Sequence, residues 1–209
     1  MTDTKNGLLK DQNKPFAPAC ERNQEVILEV LQDHLRPTDR RLFEIGSGTG
    51  QHAVFMAARL PQLQWLTSDR PEQHEGIQAW LDEAALDNVQ SPVNYQVGLH
   101  PWPVTAVDVV LSVNTLHIMP ESLVETLIKD LENNLKTAAR VLFYGPFKYQ
   151  GQFTTPSNAE FDDWLKAADS QQGIRDFEWV CELMQSAGFV LMKDQAMPAN
   201  NQMLIFEKT

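Results

Sequence analysis

Cysteine is scarce in this sequence. Cys20 and Cys181 are the two cysteines among 209 residues, and neither stands in a Cys-x-x-Cys pair or beside histidines. This pattern argues against a disulfide framework and against a cysteine-based metal site. Long apolar runs are also missing, since none approaches the roughly 18 residues that a membrane span needs. The N-terminal stretch MTDTKNGLLKDQNK lacks the apolar centre of a signal peptide, so we expect free thiols in a reducing cytoplasm, no metal site and no membrane association.

Basic residues are in the minority. The chain carries 17 Lys and Arg against 28 Asp and Glu, which gives a formal net charge of −11. Proteins that bind nucleic acids draw most of their affinity from basic side chains that neutralise phosphates. An acidic chain without a basic run therefore argues against DNA or RNA as the substrate.

The length and composition fit one domain. Apolar residues make up 43% of the 209 positions, which is enough for a sizeable core. Residues 20–209 are predicted to form this domain. Residues 1–19 are predicted to form an N-terminal arm, because Pro15 and Pro18 oppose regular structure.

Short apolar runs alternate with segments of helical periodicity from residue 21 onward. This order predicts an α/β fold, in which a mostly parallel sheet carries helices on both faces. The final segment, GFVLMKDQAMPANNQMLIFEK, instead predicts an antiparallel hairpin with its turn at 198–201, which brings the sheet to seven strands. Helices are predicted at 21–35, 51–60, 72–85, 120–135 and 175–187, and the first five strands at 41–45, 63–68, 93–97, 107–113 and 140–144.

The loop EIGSGTGQHA follows the first predicted strand, where open α/β sheets bind ligands. Gly46, Gly48 and Gly50 give the pattern GxGxG, whereas the dinucleotide-binding pattern GxGxxG requires glycine where this chain has Gln51. Glu44 precedes the loop, and a carboxylate there repels a pyrophosphate but suits a cationic ligand. The spacing argues against an NAD-linked oxidoreductase. It favours S-adenosylmethionine (SAM), which carries a sulfonium and an ammonium group.

An acidic residue ends the second predicted strand. Asp69, in QWLTSD, lies where such residues commonly bind ribose hydroxyls, although aspartate before Arg-Pro is also a good helix cap. With the glycine loop and the terminal hairpin, it makes the chain resemble class I SAM-dependent methyltransferases, which implies their Rossmann-like fold. That family often contacts adenine through an acidic residue after the third strand, where this chain offers Gln96. We expect SAM contacts from Glu44, Gly46, Ser47, Gly48, Gly50, Gln51, Asp69, Gln96 and Asn114.

The ends of the fourth and fifth strands carry the candidates for catalysis. His117, in SVNTLHIMP, is of the residue type that titrates nearest neutral pH and is predicted to be a general base. Tyr144, in FYGPF, is predicted to help orient the nucleophile. The alternative is that His117 only packs against its loop and that Tyr144 forms a wall of the pocket.

Substrate contacts are predicted from three parts of the chain. The long connection 147–173 is expected to form a lid, the segment PACERN to close over SAM, and the hairpin turn to overlook the cavity. Local turn chemistry is the alternative for the two asparagines of the turn. The predicted substrate residues are Arg22, Asn23, Phe147, Asn200 and Asn201.

Several segments give a more specific resemblance. They are KPFAPACERNQEVILEVL, EIGSGTGQHAVFMA, YGPFKYQGQFTTPSNAEFDDWL, GIRDFEWV and AMPANN. Together they resemble a methyltransferase-like family, domain of unknown function 938, from about Lys14 to the C-terminus. The resemblance implies SAM binding but supplies no substrate. We therefore expect a cytoplasmic methyltransferase acting on an O, N or S atom of a small molecule. The alternatives are a protein that binds SAM or its product without catalysis, and a protein methyltransferase.

Overall fold

The structure is a computed structural model, and it describes residues 14–209. The helices are α1 (Pro18–His34), α2 (Gln51–Ala57), α3 (His74–Ala84), α4 (Glu121–Asn134), α5 (Pro156–Ala168) and α6 (Phe177–Ser186). The strands are β1 (Arg41–Ile45), β2 (Gln64–Asp69), β3 (Val89–Asn94), β4 (Val109–Val113), β5 (Arg140–Gly145), β6 (Phe147–Tyr149), β7 (Gln152–Phe153), β8 (Arg175–Asp176), β9 (Phe189–Met197) and β10 (Asn201–Lys208).

Seven strands form the main sheet in the order β3-β2-β1-β4-β5-β10-β9. Only β10 runs against its neighbours, since it pairs in antiparallel fashion with both β5 and β9. The predicted fold, a mostly parallel sheet that ends in an antiparallel hairpin, is confirmed. The strand order reverses between β1 and β4, and the crevice beyond the carboxyl ends of these strands is where open α/β sheets bind ligands.

Helices cover both faces of this sheet, as predicted. Side chains of β5 alternate between two cores, because successive residues of a strand point to opposite faces. Val141 and Phe143 pack in the core that contains residues of α4 and α6. Leu142 and Tyr144 pack in the core that contains residues of α1 and α2. Functional side chains one residue apart on β5 therefore lie on opposite sides of the sheet.

The first helix begins earlier than predicted. α1 begins at Pro18 and not at residue 21. Proline is tolerated in the first turn of a helix because its missing N–H has no partner within the helix there. Of the predicted arm, residues 14–17 precede α1 without regular structure, and residues 1–13 lie outside the described residues.

The third strand also differs from the prediction. β3 covers Val89–Asn94 and not 93–97, and its register with β2 shifts between Leu66 and Ser68. β3 is an edge strand, where its Pro92 is tolerated. Tyr95 and Val97, within the predicted range, are buried in the loop that follows β3.

The long connection 147–173, which is predicted to form a lid, has regular structure of its own. It contains β6, β7 and α5, and β6 pairs with β7 and with β8 in a small three-stranded sheet. Arg175 and Asp176, predicted as the start of the last helix, form β8, and α6 begins at Phe177. This second sheet fixes the chain that follows α5 at the edge of the ligand crevice.

Candidate functional site

A cavity of about 650 Å³ opens at the carboxyl ends of β1, β2 and β4. Its volume lies within the range of small-molecule binding sites. The predicted SAM-contacting residues Gly46, Ser47, Gly48, Asp69, Gln96 and Asn114 line it. The cavity is completed by Ala17, Ala19, Cys20, Ile45, Thr49, His52, Arg70, Gln73, Tyr95, Val97, Val113, Thr115, Ile118, Met119, Pro120, Leu123 and Gln172.

The glycine loop approaches β4 so closely that a side chain does not fit. Gly46 has φ +73°, and a Cβ on it would lie 2.7 Å from Cγ2 of Thr115. At Gly50, φ is +87° and a Cβ would lie 3.1 Å from the Ile77 Cα in α3. Positive φ and close approach both require glycine at these positions. The loop therefore presents bare backbone to the cavity, which a ligand can approach closely.

Gly46→Ala should lower the free energy of unfolding by about 2–5 kcal/mol. The added methyl group meets Thr115, which costs about 1–3 kcal/mol. It also forces an L-residue into a left-handed conformation, which costs about 1–2 kcal/mol. The matched control is Gly151→Ala, because Gly151 has φ +72° but no atom near its Cβ position. Urea unfolding should show a smaller loss for the control, and equal losses contradict the close approach.

Glu44 lies beneath the loop and does not line the cavity. Its side chain is 2% exposed, and its Oε2 accepts hydrogen bonds from Ser47 Oγ at 3.0 Å and Trp65 Nε1 at 2.9 Å. Burial raises the pKa of Glu44 to about 7, although these two hydrogen bonds favour the carboxylate. These contacts support a role for Glu44 in organising the loop, whereas the sequence led us to expect a direct SAM contact.

Glu44→Gln is expected to make the protein lose more stability in acid. Because the pKa of Glu44 is raised, the folded protein binds a proton at Glu44 more tightly than the unfolded chain does. Protonation of Glu44 therefore stabilises the fold as pH falls from 7 towards 4.5. His52 and His117 have the opposite effect. Burial lowers the pKa of each to about 4, and the stability they provide above pH 6.5 is lost as pH falls towards 4.

In Glu44→Gln the stabilisation by Glu44 protonation is absent, so the loss of stability caused by His52 and His117 in acid is no longer offset. Between pH 7 and pH 5 the variant should lose about 2 kcal/mol more than the wild-type protein. Urea unfolding at the two pH values measures this difference. A difference between variant and wild type that does not change with pH is the contradicting result.

Asp69 joins the end of β2 to the glycine loop. Its Oδ2 accepts from the Gly48 N–H at 2.7 Å, and its Oδ1 accepts from the Arg70 N–H at 2.7 Å. Asp69 also lines the cavity, and a carboxylate oxygen can accept more than one hydrogen bond. Beyond Asp69 the lining includes Gln96, whose N–H donates to His100 Nδ1 at 3.1 Å, and the apolar Val97 and Leu123.

Residues 14–20 lead into α1 and form its first turn, and part of this segment lines the cavity. We call residues 14–20 the strap. Ala17, Ala19 and Cys20 of this strap line the cavity. Trp80 Nε1 donates to the Pro15 carbonyl at 2.7 Å, and a Cβ on Gly76 would lie 2.6 Å from the Pro15 ring. The strap is therefore held tightly against α3.

Gln51 connects the strap to the glycine loop. Its Oε1 accepts from the Ala17 N–H at 2.6 Å and from Thr49 Oγ1 at 3.0 Å. Gln51 is 4% exposed and does not line the cavity. Its contacts thus support the walls of the cavity from behind.

His117 lies behind Asn114. A Cβ on Gly145 would lie 3.5 Å from His117 Nδ1 and 3.6 Å from Asn114 Oδ1, so both side chains cover the same stretch of backbone. The His117 ring packs edge-on against Phe161, with ring centroids 5.3 Å apart. Burial, and then the charge of Arg175, lower its pKa to about 4, which keeps it neutral at pH 7. Asn114 lines the cavity, whereas the His117 ring does not.

Tyr144 has different surroundings, on the opposite face of the sheet. Its phenol group lies beside the side chains of Asn23 and Asn201, and burial raises its pKa. Asn23 Oδ1 also contacts His52 Nε2 at 2.8 Å. We call Asn23, His52, Tyr144 and Asn201 the Asn23 cluster. The structure therefore brings together three predicted site residues but does not bring His117 to Tyr144.

His52 is the member of this cluster that lines the cavity, and it was missing from the residues predicted from the sequence. It is 6% exposed and follows the glycine loop at the second position of α2. Its place directly after the loop was the available signal. The sequence could not show that its ring would meet Asn23 from α1.

The remaining predicted substrate residues lie away from the cavity lining. Arg22 is exposed, and Phe147 is 2% exposed in the core with α4 and α6. Asn200 is exposed, and its carbonyl accepts from the Asn158 side chain at 3.2 Å. Phe147, predicted as a substrate residue, packs in the core and does not line the cavity.

Arg175 anchors the chain around His117. Its guanidinium donates to the carbonyls of Leu116, Met119 and Gln171. The N–H of Gly173 donates to the His117 carbonyl at 2.9 Å. These bonds hold Gln172, which lines the cavity, over the loop that follows β4.

The fold is similar to that of solved methyltransferases. The S-adenosylmethionine-dependent methyltransferase SibL in its apo form superposes with a TM-score of 0.73 at 20% identity, over 91% of this chain and 55% of SibL. An O-methyltransferase family protein from Burkholderia thailandensis gives a TM-score of 0.78 at 17% identity, over 91% and 57%. An O-methyltransferase family 2 protein from Planctomyces limnophilus, in complex with apigenin, gives 0.75 at 16% identity, over 91% and 60%.

These similarities and the strand order define the class of the fold: it is the class I methyltransferase fold. The chain spans little more than half the length of these three neighbours. Residues 14–208 match the family described as "Protein of unknown function (DUF938)", and the chain belongs to that family. Among residues 14–209, no helix is long and apolar enough to cross a membrane.

Proposed function

We propose that this protein binds SAM in the cavity and transfers its methyl group to an O, N or S atom of a small molecule. The proposal rests on one observation, which is that three of the residues predicted to contact SAM line the same cavity. The bare backbone of Gly46, the Asp69 carboxylate and Asn114 all line it, at the point where the strand order reverses. This set of groups fits SAM, since it offers backbone N–H groups, a ribose partner and apolar walls for adenine.

The residues divide the cavity into three parts. We assign the methionine end of SAM to Gly46, Ser47 and Gly48, and the ribose hydroxyls to Asp69. Gln96 borders the space assigned to adenine, together with apolar side chains. Gly50, Glu44 and Gln51 act from behind, where they shape the loop and hold the strap.

The protein residues supply alignment and exclusion of water. SAM, when bound, supplies an activated methyl group on a sulfonium sulfur. Residues of the strap and Gln172 form part of the cavity wall. Holding two reactants in line lowers a barrier by about 7–11 kcal/mol in well-oriented systems. The cavity has the volume of a small-molecule site, which favours a small acceptor over a protein surface.

The acceptor side of the cavity lies beyond Asn114. Tyr144 remains our candidate for orienting the acceptor, through the Asn23 cluster. The base role predicted for His117 remains a prediction, and its neutral ring behind Asn114 is compatible with it. A cytoplasmic location likewise remains a prediction, based on the two cysteines, which form no disulfide.

Binding and turnover test this function separately. Calorimetry with S-adenosylhomocysteine (SAH) should show one binding site, and NAD should not bind. Purified protein with SAM and a small-molecule extract should then produce SAH above the level given by heat-inactivated protein. SAH binding without turnover would establish the non-catalytic alternative, whereas NAD binding without SAH binding would refute both.

A further inference from the structure

The Asn23 cluster fixes the protonation of a cavity histidine. An amide oxygen can only accept a hydrogen bond. Because Asn23 Oδ1 lies 2.8 Å from His52 Nε2, that nitrogen carries the proton and Nδ1 keeps the lone pair. Burial lowers the pKa of His52 to about 4, so the ring is neutral at pH 7. His52 thus offers the cavity region a neutral imidazole with one free acceptor nitrogen.

Tyr144 and Asn201 complete the same cluster. The side-chain amides of Asn23 and Asn201 both lie beside the Tyr144 phenol. The Nδ2 of Asn201 is itself held by the Pro198 and Ala199 carbonyls at 3.1 and 3.3 Å. Helix α1, strand β5 and the hairpin turn therefore meet around His52.

Within residues 14–209, no side chain that is ionised at pH 7 lines this end of the cavity. The charged residues that line the cavity are Asp69 and Arg70, and both lie at the end of β2. Cys20 belongs to the strap, and burial raises the pKa of its thiol. An ionised acceptor placed here would lack an opposite charge, and burying an unpaired charge costs several kcal/mol. A neutral acceptor with a polar group meets no such penalty.

We propose that the acceptor binds in the cavity beside His52, that the acceptor is an uncharged hydroxyl compound, and that His52 Nδ1 receives the hydroxyl proton. The inference rests on the proposed function and names its substrate class. Asn23 acts as a positioning residue, since it sets the His52 tautomer. Tyr144 is buried behind the cavity lining and supports Asn23 from the β5 side.

The transfer balances in charge. The carbon–sulfur bond breaks and its electron pair stays on sulfur, while the acceptor oxygen forms the new bond to carbon. The hydroxyl proton moves to Nδ1 of His52, which becomes an imidazolium stabilised by Asn23 Oδ1. One positive charge disappears at sulfur as one appears on His52, so the net charge of the closed site does not change.

Labelled transfer tests the substrate class. A small-molecule extract is separated by ion exchange into neutral, anionic and cationic pools, and each is incubated with methyl-labelled SAM and the protein. We expect label in the neutral pool. His52→Gln should lower this transfer at least about 100-fold, the lower range for a general base, and should keep the SAH affinity of the wild-type protein. His34→Gln, at the far end of α1, is the control and should transfer label normally.

An activity-independent measurement tests the geometry. In ¹⁵N-histidine NMR of the SAH complex, assigned with the same variants, His52 should be neutral with its proton on Nε2. Asn23→Leu, which keeps the size but removes the acceptor, should abolish this single tautomer. A proton on Nδ1 in the wild-type protein overturns the proposal.

The activity outcomes separate this inference from the function on which it rests. Label in a charged pool, or normal transfer by His52→Gln, overturns the inference while the methyltransferase function stands. Loss of transfer in His117→Gln but not in His52→Gln assigns the proton to His117 and also overturns it. SAH binding with no label in any pool overturns the methyltransferase function, and this inference with it.

Discussion

Asp69→Ala should lower the affinity for SAH at least about 100-fold. A hydrogen bond to a charged group contributes about 1.5–3 kcal/mol, and two ribose hydroxyls facing one carboxylate give about 3 kcal/mol or more. The variant also removes the acceptor of the Gly48 N–H, which ties the glycine loop to β2. Calorimetric titration with SAH measures the change directly.

Two further variants define what is lost. Asp69→Asn keeps one oxygen for the Gly48 N–H, so it should bind SAH with intermediate affinity. Asp82→Ala removes an exposed carboxylate of α3 whose partner is the Gln78 side chain, and it should bind SAH normally. If Asp69→Ala keeps the wild-type affinity while remaining folded, the ribose does not lie at Asp69.

Asp39→Ala should lower the free energy of unfolding by about 3–5 kcal/mol, because it leaves a buried arginine charge without its partner. Asp39 and Arg140 form an ion pair in which each side chain is 7% exposed or less. Arg140 also donates to the His34 carbonyl, and Asp39 accepts from the Arg36 N–H at 2.6 Å. The pair thus joins the end of α1 to the start of β5, at the opposite end of the sheet from the cavity.

An exposed ion pair provides the matched comparison. Lys136 is 60% exposed and pairs with Asp108 at 2.6 Å, so Lys136→Met should cost no more than about 1 kcal/mol. The double variant Asp39→Leu with Arg140→Met should recover most of the stability, since no unpaired charge remains. Urea unfolding of the variants measures these changes in the free energy of unfolding. A loss below about 1 kcal/mol for Asp39→Ala is incompatible with a buried ion pair.

Repeating patterns in the sequence made the main sheet predictable. The alternation of apolar runs with helical segments, and the final hairpin, were enough for the strand types and for the position of the glycine loop. Gly46 and Asp69 could be placed at one crevice because both follow adjacent parallel strands. The edge strand β3 was misplaced because its own residues are half exposed, while the buried Tyr95 and Val97 lie beyond it.

The acceptor side of the cavity was less predictable, because its composition depends on which face of the sheet each side chain points to. Tyr144 and Gly145 differ by one residue, yet Tyr144 meets Asn23 whereas the Gly145 backbone lies under His117. The sequence suggested that His117 and Tyr144 act together, and it could not show that the sheet separates them. His52 meets Asn23 through packing of α1 on α2, a contact between residues 29 positions apart. Phe147 lies in the core because β6 pairs with β8, and no local pattern announced that pairing.

A crystal structure of the protein with SAH would show where the ligand binds. We expect SAH to occupy the cavity, with its ribose hydroxyls on Asp69, its adenine beside Gln96 and Val97, and its sulfur towards Asn114 and His52. Space beyond the sulfur should be bounded by His52, in front of the rest of the Asn23 cluster. SAH bound elsewhere on the protein, or bound in the cavity with its ribose away from Asp69, would show that the proposed SAM site is wrong.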